Sequence, residues 1–263
     1  HKKGLGTLGG GNHFIELSVD EEGNYWLTVH SGSRSFGAEI ARHHERIAKK
    51  YHSDHSEEIK EIISSLKELG REKDIESEIM SFKNSQNFPE IPYLEGELLQ
   101  DYLNDIRSAD QYAALSRQVM LHNIATEMGW ESSFLFDSVH NNIDDVNGII
   151  RKGATSAQEG ELLIIPLNMR DGSLICVGKG NADWNFSAPH GAGRLLSRKA
   201  ARKSIKLEDY QKQMKDVYTS SVGLQTLDEA PGAYKPAQLI ISSIWPTVEI
   251  KHHLKPVYNF KAH

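Results

Sequence analysis

The chain has 263 residues, 38% of them hydrophobic and 25% charged, with a net charge of −6 and 13 histidines. That is an ordinary globular composition, enough for one large or two small domains. It excludes a disordered segment and a uniformly basic nucleic-acid coat, but not a local basic patch. No apolar run approaches the roughly 20 residues of a membrane span, so no membrane partner is expected.

The first 37 residues read as strand, turn, strand, turn. "NHFIELSV" and "NYWLTVH" are β-rich and "DEEGN" is a turn by composition. From about 38 to 130 the texture is helical. "AEIARHHERIAKKYH" and "SEEIKEIISSLKELG" carry apolar residues at helical spacing, with Gly70 as a C-cap. "SQNFPEIPYLEG" breaks the pattern with two prolines. "DYLNDIRSADQYAALSRQVMLHNIATEMG" then predicts one long helix ending at Gly129. From about 131 the chain returns to short strand-like runs: "SFLFDSVHNNI", "ELLIIPL", "SLICVG", "QLIISSI" and "TVEIKHHLKPVYNF". The fold class is therefore α+β, with central mixed or antiparallel sheets and a helical insertion over about 38–130, in a single domain over 1–263.

A lone cysteine, Cys176, cannot form an internal disulfide, which makes the cytoplasm the expected compartment. Its strand-like setting predicts a buried, inert thiol. His43, His44, His52, His55 and His122 lie on charged helical segments and read as surface residues. His252 and His253 alternate along a strand, so they would not share a metal.

Four histidine-bearing turns carry the chemistry: "GGGNHF" (His13), "TVHSGSRSFG" (His30), "DSVHNNID" (His140) and "SAPHGAGRLLSR" (His190). Histidines at strand ends can converge at one rim of a sheet. The glycines let backbone N–H groups approach an anion. Arg194 and Arg198 share a helix face by their i, i+4 spacing, and "RKAARKSIK" follows as a basic run suited to phosphate. Each feature alone has an ordinary structural reading: a strand-end histidine, a glycine turn, a solvated basic face. It is their conjunction that points to a metal and phosphate site.

Five stretches in order, "GTLGGGNHFIEL", "HSGSRSFG", "RKGATSAQEGELLIIP", "PHGAGRLLSR" and "DEAPGAYK", resemble the RtcB family of RNA ligases over nearly the whole chain. The resemblance implies an RtcB-like fold and a GTP- and manganese-dependent enzyme. Such enzymes join an RNA 3′-phosphate or 2′,3′-cyclic phosphate to a 5′-hydroxyl, in tRNA splicing or RNA repair. It implies His190 as the guanylylated nucleophile, and His13, His30 and His140 as ligands of two Mn²⁺ ions. Guanylate contacts would fall on Asn12, His13, Phe14, Ile15, Glu16, His140, Asn141, Pro166, Leu167, Asn168, Met169, Ser173, His190, Gly191, Ala192, Gly193, Tyr234 and Lys261. Arg34, Arg194 and Arg198 would hold RNA phosphates. The partners implied are RNA with these ends and an archease-type activator.

The chemistry agrees with those roles. A neutral imidazole has a reference pKa of about 6.5 and can attack phosphorus without first losing a proton. Metal ions neutralise triphosphate charge and orient the leaving pyrophosphate. Manganese accepts mixed nitrogen and oxygen donors. Two departures stand out. The family's upstream Asp/Cys metal motif would fall before His1, so the chain is expected to continue in that direction. The family's "IPGSMG" turn reads "IPLNMRDGS" at Ile165–Ser173, placing Leu167, Asn168 and Arg170 at divergent positions. Two other readings remain open: a nucleotide- or RNA-binding homologue that does not ligate, and a manganese-dependent cyclic phosphoesterase.

Overall fold

The computed structural model describes residues 2–85 and 89–262; part of the expected proline break, 86–88, lies outside them. The chain divides into two compact units, residues 1–34 with 109–263, and residues 35–108.

The first unit is built on a five-stranded antiparallel sheet. Its strands are β1 (Phe14–Val19), β2 (Tyr25–His30), β6 (Leu162–Asn168), β7 (Gly172–Gly178) and β9 (Val248–Phe260), in the order β2-β1-β9-β7-β6. β1–β2 and β6–β7 are local hairpins, and the 13-residue β9 joins them by pairing with β1 on one side and β7 on the other. Two small two-stranded sheets complete the strands: β3 (Ile143–Asp144) pairs with β4 (Ile149–Ile150), and β5 (Ala154–Ser156) with β8 (Ser187–Pro189). α5 (Arg198–Ser204), α6 (Leu207–Gln213) and α7 (Ala237–Ser243) are short helices between β8 and β9.

Alternation along the strands sorts side chains between core and cavity. In β6, Leu163, Ile165 and Leu167 are buried in one hydrophobic cluster with Leu174, Cys176 and Val248. Ile164 and Pro166 point the other way and line a cavity. Cys176 is fully buried, and burial pushes its thiol up to about 12, as an inert core cysteine requires. A second cluster gathers Met169, Tyr210, Met214, Val217 and Leu227 under α6.

The turn between β6 and β7 depends on Gly172, whose φ is +74°; a Cβ there would stand 1.9 Å from the Leu254 carbonyl oxygen of β9. Asn168 shapes this turn. Its Oδ1 accepts from the N–H groups of Arg170 and Asp171, and its Nδ2 donates to Asp171 Oδ2 at 2.8 Å. Leu167 keeps an ordinary strand conformation, so the Gly-to-Leu departure from the family pattern carries no backbone strain.

The helical stretch 38–130 resolves into α1 (Arg34–Ser53), α2 (Ser56–Glu68), α3 (Ile75–Ser85) and α4 (Gly96–Met128). α4 is the single long helix expected, 33 residues, closed by Trp130 N–H to Ala125 O at 2.8 Å. Its portion in the first unit buries Ala109, Ala113, Ser116 and Met120, one stripe at helical spacing. Within the second unit, His44 is buried and its Nε2 meets Asp105 Oδ2 at 2.8 Å, which corrects its surface reading. A carboxylate 61 residues away in sequence supplies the partner that local charge could not reveal.

Two other expectations are corrected. "QLIISSI" is α7, not a strand; seven residues of β-branched and apolar character do not distinguish the two by period. "SFLFDSVHNNI" forms no named strand; apart from an isolated bridge from His140 to Thr155, it runs as irregular backbone to Ile143. Among the described residues, no helix is long and apolar enough to cross a membrane.

Candidate functional site

A cavity of about 2110 Å³ opens in the first unit along β2 and the segment after α4. Asn12, His13, Phe14, His30, His140, Asn141, Pro166 and His190 all line it. Four imidazoles stand in file: ring centroids are 5.9 Å apart for His13–His30, 5.2 Å for His30–His140 and 4.8 Å for His140–His190. They arrive from the glycine turn before β1, the end of β2, the segment before β3 and the end of β8. Phe14 stacks on His30 at 5.3 Å and closes one side.

This setting holds three of the four, His13, His30 and His140, below the usual histidine range. Burial lowers His30 to about 3, with the neighbouring His140 and His13 adding to it. Burial is also the first cause lowering His13, followed by the Arg34 guanidinium. His140 is lowered by burial and then by His190. Neutral imidazoles carry the lone pairs that both metal binding and nucleophilic attack need. His140 Nδ1 is buried and has no hydrogen-bond partner, an orphaned ring nitrogen whose lone pair a metal ion would satisfy. Donor type therefore fits a manganese-class ion. Among the described residues, however, no three His, Cys, Asp or Glu side chains meet closely enough to form a metal cage.

Arginines crowd the glycine turn. Arg34 Nη1 donates to His13 Nδ1 at 3.2 Å, and Arg34 itself has a left-handed φ of +58°. Gly9 lies directly under this guanidinium: a Cβ there would fall 1.4 Å from Nη1. Arg198, half-exposed at the start of α5, reaches over Gly11. Arg194 is committed internally. Its Nη1 donates to Glu229 Oε1 and Tyr234 Oη, its Nη2 to Asp228 O, and its Nε to Leu196 O.

The turn after His190 docks on β6 through Ala192 N–H to Pro166 O at 3.0 Å, and Gly193 O accepts from Lys235 N–H at 3.1 Å. Asn141 Oδ1 accepts from Gly153 N–H at 2.5 Å, tying the His140 segment to the backbone below His190.

The remaining expected contacts lie away from the cavity wall. Glu16 sits on the buried face of β1, opposite Asn259 of β9 in register; its oxygens accept from Ser18 Oγ at 2.9 Å and Asn259 Nδ2 at 2.6 Å. Burial raises it to about 7 against those two hydrogen bonds. Ile15 points to the other side of β1. Leu167 and Met169 are core side chains, and Tyr210 Oη donates to the Met169 sulfur at 3.1 Å. Ser173 is buried with an unpartnered Oγ. Tyr234 and Lys261 meet at Glu229, and the Lys261 ammonium stands 5.3 Å over the Phe14 ring.

Sequence reasoning passed over Glu229, Asp228 and the Arg117–Asp137 pair. The acidic pair stood in plain view in "DEAPGAYK", Glu229 five residues before Tyr234. Arg117 donates to both Asp137 oxygens, at 2.8 and 2.5 Å, and to Ser31 O at 2.9 Å, fastening the stretch that leads to His140 beside the end of β2.

A family model described as "tRNA-splicing ligase RtcB" matches residues 1–262. The chain is 30% identical over 280 residues to the RNA-splicing ligase RtcB of Escherichia coli K12, covering 99% of this chain and 62% of that protein. It is 26% identical over 293 residues to the tRNA-splicing ligase RtcB of Thermococcus kodakarensis, covering 91% of this chain and 55% of that one. The chain thus spans about three-fifths of the length of these relatives.

Proposed function

Because the chain belongs to the RtcB family, we propose that the protein containing it is a GTP- and manganese-dependent RNA ligase. It would join 3′-phosphate or 2′,3′-cyclic phosphate ends to 5′-hydroxyl ends. The observation that carries the reading is the file of four imidazoles, His13–His30–His140–His190, along one cavity wall, with three of them held below the usual histidine range first of all by burial.

In this reading His190 is the nucleophile. Its imidazole lone pair forms a bond to the α-phosphorus of GTP as the bond to pyrophosphate breaks, and the imidazolium then sheds its ring proton. The GMP so held passes to the RNA 3′-phosphate, and the 5′-hydroxyl displaces it. His13, His30 and His140 would each offer an imidazole to manganese, without forming a closed cage among themselves, and the ion would supply charge neutralisation at the phosphates. Arg198 and Arg34 flank the glycine turn and offer guanidinium groups to phosphate. Phe14 stacks on His30 and covers that imidazole from one side.

The test uses the full-length protein with Mn²⁺ and α-labelled GTP, followed by denaturation. Label should stay on the polypeptide and vanish in His190→Ala while circular dichroism is unchanged. A wild-type protein that takes no label overturns the ligase reading, and a labelled His190→Ala variant overturns the choice of nucleophile.

A further inference from the structure

Behind Phe14 lies a buried carboxylate that gathers four segments of chain. Glu229 is 3% exposed. Its Oε2 accepts from Tyr234 Oη at 2.6 Å and Lys261 Nζ at 3.1 Å. Its Oε1 accepts from Arg194 Nη1 at 3.2 Å, and Arg198 Nη2 stands at 3.9 Å. The donors come from the turn after His190, from α5, from the stretch after Pro231–Ala233 and from the residue after β9. Lys261 lies 32 residues away in sequence and Arg194 lies 35, so no local geometry forces them onto one carboxylate.

The arrangement does more than satisfy a buried charge. The ammonium that Glu229 holds is the one suspended over Phe14, and Phe14 lines the cavity with His13 and His190. The hydroxyl that it accepts from also receives a hydrogen bond from Arg194, at 3.1 Å, on the turn that carries His190. Remove the carboxylate and Lys261 and Arg194 become two buried or half-buried cations with no common counter-charge. Their mutual repulsion would then drive them apart.

We propose that Glu229 is a positioning residue of the nucleotide pocket: through its hydrogen bonds to Lys261, Tyr234 and Arg194 it fixes the pocket wall that receives a guanosine nucleotide beside His190. This rests on the function proposed above, and deepens it by assigning the residue that orders the wall. Glu229 need not touch the nucleotide.

The test is equilibrium binding of a fluorescent GTP analogue to the full-length protein with Mn²⁺, which reads the pocket without chemistry. Glu229→Gln should weaken binding about tenfold or more, and Lys261→Met should do likewise. The double variant should bind no worse than the weaker single one, because the two act through one contact. Glu229→Asp, which restores the charge on a shorter arm, should recover part of the loss. Wild-type affinity in Glu229→Gln overturns the proposal, as does a double variant in which the two losses multiply in full. If Glu229→Gln does not fold, as judged by thermal melting, the comparison of Glu229→Asp and of the charge-balanced double variant with Lys261→Met decides it by the same criterion. Binding of the analogue without covalent label from GTP would sink the ligase reading while leaving this one standing. A wild-type protein that does not bind the analogue overturns both.

Discussion

Arg34 Nη1 sits 3.2 Å from His13 Nδ1, and the guanidinium occupies the space where a side chain at Gly9 would be. The glycine run before β1 is therefore the bed on which an arginine lies against the first histidine of the file. Gly9→Ala should expel the guanidinium and also place a Cβ at φ +84°, at a cost of about 1–2 kcal/mol for the backbone alone. A thermal melt measures the loss. On an Arg34→Ala background the steric part should disappear and a smaller penalty remain; equal penalties in both backgrounds would contradict the contact.

Gly172→Ala is expected to be more severe. The Cβ would strike a backbone carbonyl of β9, not the movable end of a side chain. Relief requires pulling β9 from β7. A loss above roughly 2 kcal/mol in denaturant midpoint is expected, with no rescue from any single side-chain truncation nearby.

Glu16 gives the sheet a pH signature. Its carboxyl rises from 4.5 unfolded to about 7 folded, so between those values the folded chain binds more protons than the unfolded one. Its effect is that stability falls as pH rises through about 4.5 to 7, by on the order of 3 kcal/mol. Glu16→Gln should flatten that portion of the curve and leave the chain relatively more stable at pH 8. Parallel wild-type and variant curves across that window would refute the burial argument.

Arg117→Ala should loosen the backbone leading to His140, since one guanidinium holds both the Asp137 carboxylate and the Ser31 carbonyl. A loss of about 1–2 kcal/mol is expected. Arg117→Lys should not restore it, because a point charge cannot serve a two-pronged carboxylate and a carbonyl together. Amide exchange across 134–141 should accelerate in both variants.

Much of this site was legible before any coordinates. His13, His30, His140 and His190 each adjoin a strand-like run and a glycine or asparagine turn, and strand ends are where a sheet brings distant residues together. The long helix to Met128 was legible because its apolar stripe persists over many turns. Two things were not. The period of "QLIISSI" is too short to separate helix from strand, and Pro236 just before it is the one local sign of a helix start. The partners of His44 and of Glu229 were hidden because a buried acid or base looks the same in sequence as a solvated one. Only the fold decides whether Asp105 or Lys261 lies across from it.

β9 has a consequence for how the molecule comes to exist. It is the third strand of five, yet its Asn259 bonds a glutamate 243 residues earlier in the chain. During synthesis the β1–β2 hairpin must wait, with one long edge open, until β9 has left the ribosome. The β6–β7 hairpin waits in the same way. So high a contact order predicts slow folding and a period of vulnerability to edge-to-edge association. Lys261 follows the strand that ends the wait. The wall behind Phe14 is thus among the last parts to assemble, and the proposed nucleotide pocket stays incomplete until the sheet has closed.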